Sequence, residues 1–281
     1  MRWTSRGKSA DVEDRRGQRS RMRGGATLGI GGVLVLLVLT LLTGQDFLSL
    51  ADPGAEGGVT STTAPDEPYA ATPEEEKLVD FVSFVLDDSQ DVWTQLLGPN
   101  YQRARLVLFT DAVESACGFA QSATGPFYCP PDQRVYIDLG FYRELQQQFG
   151  APGDFAQAYV LTHEIGHHVQ TLTGTEAQVR QAQRANPSMA NQLSVRMELQ
   201  ADCYAGVWGH TTSRRGLLDA DDIDEALTAA AAIGDDRIQR MGTGRVSPER
   251  FTHGTSAERA AWFRRGFESG QPADCDTFNA R

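Results

Sequence analysis

The chain has 281 residues, with 37 Asp and Glu against 26 Lys and Arg and a formal net charge of −11. Hydrophobic residues at 40% and charged residues at 22% are ordinary for a globular protein and exclude wholesale disorder, collagen-like and coiled-coil architectures. The acidic balance argues against a nucleic-acid partner, because neutralising phosphates needs clustered Lys and Arg on the folded part.

In chain order, residues 1–23 read as a basic leader, with Arg2, Arg6, Lys8, Arg15, Arg16, Arg19, Arg21 and Arg23 set against Asp11, Glu13 and Asp14. Residues 24–45 carry no charge, and the run from Leu28 to Leu42 is apolar apart from glycines and Thr40. As a helix this segment would extend about 33 Å, close to the hydrocarbon thickness of a bilayer, so it reads as a single transmembrane helix. The basic flank predicts a cytoplasmic N-terminus with everything after Gln45 outside. Ser49-Leu50-Ala51 has the form of a signal-peptide processing site. It lies well beyond the apolar run and the leader is long, so an uncleaved anchor is preferred; either way the C-terminal part is exported. Residues 46–72, rich in Pro, Gly, Ser and Thr, read as a disordered tether.

The folded domain is expected over residues 73–281. Thr72-Pro73-Glu74-Glu75-Glu76 supplies a cap, a proline at the first helical position and acids in the first turn, ahead of Leu78, Phe81, Val82, Val85 and Leu86 at helical spacing. Residues 105–110 and 134–138 have the branched and aromatic content of strands. Helices are predicted over 141–149, 155–172, 175–208 with a break at Pro187, 222–241 and 256–268. The fold class is α+β, mainly helical, with a small sheet near the front of the domain.

The chemistry concentrates in Thr162-His163-Glu164-Ile165-Gly166-His167-His168. On a helix, His163 and His167 project from one face at a separation that one small cation bridges, and Glu164 can reach a water there without being a ligand. Apolar Tyr159, Val160, Leu161 and Ile165 place these residues on a buried helix, where charge needs a reason to exist. Two imidazoles and a water leave a zinc site one protein ligand short. Glu198 is the best candidate, on a second buried helix, with Asp202 four residues on and placed to accept the free N–H of a liganding histidine.

With these residues in view, His163-Glu164-x-x-His167 followed by Glu198-x-x-x-Asp202 resembles the glutamate-type zincins such as thermolysin. More closely, the chain resembles the bacterial membrane-anchored neutral zinc metallopeptidase family. That likeness covers the leader stretch Val12-Glu-Asp-Arg-Arg-Gly17, Ala116-Cys-Gly-Phe-Ala120, Gly125-Pro-Phe-Tyr-Cys-Pro130, both motif helices, and His253-Gly-Thr-Ser-Ala-Glu-Arg259. It implies a zincin-like domain holding one Zn2+ per chain and cutting peptide or protein substrates, as an endopeptidase outside the cytoplasmic membrane. Glu164 would be the general base on a zinc-activated water. The resemblance also suggests His253 as the donor to the developing oxyanion, since related enzymes supply a histidine late in the chain. The alternative is a catalytically silent relative serving as a cell-envelope binding or scaffold module.

Several readings stay open. Tyr204 rivals His253 but sits six residues past Glu198, off its face; His168 lies about 100° from His167 and reads as a packing residue. His210 has no assigned role. Asp235-Asp236 suits a helix end better than a cation, and strand 134–138 is either internal or a place for substrate to add as a strand. Four cysteines follow the apolar segment. Cys117 and Cys129 flank a short loop and are expected to pair, leaving Cys203 with Cys275.

Overall fold

The computed structural model describes residues 1–18 and 69–279. The first long helix, α1 (Pro73–Leu97), starts as its sequence predicts. The Thr72 hydroxyl accepts from the Glu75 N–H while the Glu75 carboxylate accepts from the Thr72 N–H, and three acids face the positive end of the helix.

Among the described residues, six strands form two sheets: β1 (Val12–Asp14), β2 (Arg105–Phe109), β3 (Ala112–Ser115), β4 (Gly118–Gln121), β5 (Phe127–Cys129) and β6 (Arg134–Asp138). The larger sheet has the order β1-β2-β6-β5, parallel except for the antiparallel β5–β6 pair, and β3–β4 is a separate hairpin. Strand β6 is therefore internal, paired on both sides, and the border strands are β1 and β5.

The separate leader is corrected. Met1–Gln18 belongs to the same folded unit as Tyr69–Arg281, because Val12–Asp14 lies in register along β2. Trp3 packs on Phe81, ring centroids 5.2 Å apart, and buried Arg16 bonds to Asp14 and to Glu76 of α1 at 2.8 Å each. Val-Glu-Asp shows no apolar alternation, so nothing local marks it as a strand; it gains order only from the ladder it joins. The predicted span 24–45 and the tether as far as residue 68 lie outside the described residues. No helix among the described residues is long and apolar enough to cross a membrane.

The remaining helices are α2 (Gly140–Gln147), α3 (Asp154–Leu172), α4 (Thr175–Ala185), α5 (Ala190–Arg214), α6 (Asp222–Ala232), α7 (Asp235–Thr243) and α8 (Ser256–Ser269). The predicted continuous helix 222–241 breaks at Ile233-Gly234. Gly234 lies against the backbone of Ser256, where an added Cβ would come within 2.3 Å of the Ser256 nitrogen.

Helix α3 is buried along most of its length and packs against α1, α5 and α6. Gly166 sets its distance from α5: a Cβ there would meet the Ala201 Cα and carbonyl oxygen at 3.0 Å. Both expected disulfides are present, Cys117–Cys129 tying the β3–β4 hairpin to β5 and Cys203–Cys275 tying α5 to the C-terminal segment.

Candidate metal centre

The close approach of α3 and α5 brings Glu198 to His163 and His167, 31 residues or more away in sequence. Glu198 on α5 lies with Oε2 3.1 Å from His163 Nε2 and Oε1 3.4 Å from His167 Nε2. The two imidazole rings stand 4.8 Å apart and nearly perpendicular. One atom from each of His163, His167 and Glu198 lies within 4.8 Å of the others. Two imidazole nitrogens and one carboxylate, with a cleft on the remaining side, match the three-ligand, one-open-position set of a catalytic zinc site. The residues fit the ion.

Behind the donors lies a buried polar cluster. Asp202 Oδ1 faces His163 Nδ1 at 2.8 Å and also accepts from the Tyr159 hydroxyl. Arg259 of α8 meets both Asp202 oxygens, and its guanidinium comes within 3.8 Å of Glu198 Oε2. Burial alone would raise the Asp202 carboxyl, but Arg259 and His163 hold it below the ordinary range. Glu198 is likewise held well down, against burial, chiefly by His167 and His163. With Asp202 accepting the Nδ1 proton, Nε2 of His163 is the nitrogen aimed at Glu198 and the one left to bind a metal once its proton is displaced. On His167, Nδ1 is 2.8 Å from Gln170 Oε1.

Glu164, 7% exposed, lines a cleft of about 680 Å³ together with His163, His167, Glu198, Arg259 and His253. His253 reaches this cleft from the loop between α7 and α8. Asp235 Oδ2 accepts the N–H groups of Thr252, His253 and Gly254 at 2.7, 2.6 and 3.0 Å, while Oδ1 faces His253 Nδ1 at 3.2 Å. Asp236 binds the N–H and hydroxyl of Ser256. The acidic pair thus clamps a loop and a helix start, the structural reading of Asp235-Asp236.

Other candidates fall away. Tyr204 packs edge-on against Trp93, and His210 bonds to the Phe267 carbonyl. His168 is fully buried; its Nε2 donates to the Gln102 carbonyl at 2.6 Å, and Nδ1 accepts from the Tyr128 hydroxyl at 3.0 Å. That neutral tautomer, favoured by burial, ties α3 to border strand β5. Arg259, Tyr159 and Gln170 are the residues that sequence reasoning missed. The spacing of Arg259 three residues after the Thr255-Ser256 helix start gives no sign that it will be 2% exposed, and only its pairing with Asp202 explains it.

The family model described as "Putative neutral zinc metallopeptidase" matches residues 1–278. The chain belongs to this neutral zinc metallopeptidase family. Among similar proteins, the uncharacterized protein YpfJ of Escherichia coli K12 is 46% identical over 295 residues, covering 99% of both chains. The uncharacterized protein Rv2575 of Mycobacterium tuberculosis H37Rv is 48% identical over 201 residues, 67% of each chain. No solved structure matches. The match from residue 1 agrees with a fold in which the first strand is part of the domain. The zinc implied by the family would be held by the candidate donors His163, His167 and Glu198.

Proposed function

We propose that the chain is a zinc-dependent endopeptidase acting on peptide or protein substrates outside the cytoplasmic membrane. The observation that carries the reading is the convergence of three donors with the Glu164 carboxylate on one open cleft. When bound there, zinc supplies Lewis-acid polarisation of the scissile carbonyl and makes water a stronger acid. Glu164 takes the proton of the attacking water on its carboxylate and passes it to the leaving amine. His253, in the tautomer whose Nδ1 accepts from the Thr252 hydroxyl 3.0 Å away, offers Nε2–H to the developing oxyanion. Residues 124–128 form a wall of the cleft ending in border strand β5, and substrate backbone adds along that strand rather than along internal β6.

Two disulfides support an oxidising compartment. Pairing of Val12–Asp14 with β2 supports leader and domain lying on the same face, so any attachment through residues 24–45 would dip into the membrane from that face rather than cross it once.

The test uses the full chain produced in an oxidising compartment. Bound zinc is measured, and cleavage of an unstructured protein is followed with and without chelator, internal cuts being mapped by mass spectrometry. Glu164→Gln should keep zinc and lose cleavage; His163→Ala and Glu198→Ala should lose zinc. A Glu164→Gln protein that cleaves as fast as its parent would show the wrong base.

A further inference from the structure

We infer that Gln170 is a positioning residue that holds His167 in its metal-binding tautomer, through an amide relay ending at the disulfide-tied C-terminal segment. The inference rests on the zinc reading of the site. His163 has an anionic orienter, Asp202; His167 has a neutral one.

An amide presents an acceptor on one side and donors on the other, so its orientation decides which proton its neighbour carries. Gln170, fully buried, donates from Nε2 to the Met197 carbonyl at 2.7 Å and to Gln200 Oε1 at 3.1 Å. Gln200 in turn donates from Nε2 to the Cys275 carbonyl at 3.0 Å. Backbone carbonyls only accept. The carbonyl of Cys275 therefore fixes Gln200 with its oxygen toward Gln170, and the carbonyl of Met197 fixes the Gln170 nitrogen on the side of α5. Only Oε1 of Gln170 is left to face His167 Nδ1, at 2.8 Å. That nitrogen must carry the proton, so Nε2, 3.4 Å from Glu198 Oε1, is the nitrogen left to bind the metal. A flipped Gln170 would turn its amide nitrogen to His167 Nδ1 and its oxygen to two acceptors, the Met197 carbonyl and Gln200 Oε1, leaving buried groups unpaired.

The relay joins three structures that sequence leaves apart. Met197 neighbours the ligand Glu198, Gln200 lies on the same helix, and Cys275 is covalently bound to Cys203 of that helix. The tautomer of one ligand is thus set by groups on α5 and on the C-terminal segment rather than by α3 alone.

Zinc affinity is measured by chelator competition on the full-length parent, on Gln170→Leu and on Gln170→Glu, with circular dichroism as the fold control. Gln170→Leu keeps the approximate shape and removes the acceptor; it should bind zinc about 10–100-fold more weakly. Gln170→Glu, protonated on the oxygen that meets the Met197 carbonyl, restores an acceptor toward Nδ1 and should regain part of the loss. Independently of any variant, 15N–1H correlation of the zinc-loaded parent should show His167 protonated at Nδ1 and metallated at Nε2. A Gln170→Leu protein that folds and matches a zinc-binding parent overturns this inference alone, and so does metal on Nδ1 of His167. A parent that binds no zinc overturns the peptidase reading as well.

Discussion

Arg259 grips Asp202 through two hydrogen bonds of 2.9 Å, one to each carboxylate oxygen, and both side chains are almost completely buried. Asp202 thereby keeps its charge in the core while it accepts from His163. Removing one member of such a pair strands the other, at a cost of about 3–5 kcal/mol. Arg259→Met is expected to lose that much in urea unfolding of the metal-free protein, and Arg259→Met with Asp202→Asn should lose less than the sum of the two. A loss under about 1 kcal/mol would mean the pair is not buried as described.

Zinc has to displace protons. Burial opposes it, but Asp202 and then Glu198 raise His163 to about 10, and Glu198 raises His167 as well. Both imidazoles lie above their ordinary range, so near pH 7 the metal-free site holds protons that ligation must remove. Affinity should therefore rise with pH through neutrality and fall on acidification, with about one to two protons released per zinc. Calorimetry in buffers of different ionisation enthalpy reads that number directly. Release of no protons contradicts the tautomer and charge assignments.

His253 acts on the substrate side of the reaction. His253→Phe should lower kcat by about 10²–10³-fold, the cost of removing one oxyanion donor, with unchanged zinc content. Asp235→Ala, which frees three backbone N–H groups and the imidazole together, should lower kcat and thermal stability at once. Steady-state kinetics on an unstructured substrate decide the matter, and an unaltered kcat in His253→Phe removes the residue from the mechanism.

The first strand is a stability element. Trp3 is partly buried on Phe81 and Phe84, so Trp3→Ala should cost about 2 kcal/mol, below the range for a fully buried tryptophan. Residues 1–18 should resist limited proteolysis in the intact protein. Rapid trimming of those residues without loss of melting temperature would show that β1 does not pair.

Loop-closure entropy sets the expected cost of losing each disulfide. The Cys203–Cys275 bridge spans 72 residues and the Cys117–Cys129 bridge 12. Paired serine replacements should cost about 4 and about 3 kcal/mol respectively on this account. Denaturant midpoints of the two double variants give the comparison; the reverse order would mean strain or residual structure outweighs chain entropy.

What one helix can specify was legible in the residues themselves. The spacing of His163 and His167, the apolar surroundings of Tyr159 and Ile165, the capping signature at Thr72 and the strand content of 134–138 are all local, because periods of 3.6 and 2 are written directly into neighbouring positions. Glu198 and Asp202 were found by a chemical demand, a site short of one ligand, and not by any property of their own segment. The tertiary structure alone decided the rest. Val12–Asp14 is a strand only because β2 offers an edge, Asp222–Thr243 is two helices only because Gly234 meets Ser256, and Arg259 enters the core only because Asp202 awaits it there. Each of these depends on partners tens to hundreds of residues away, whose approach is set by packing and not by local pattern.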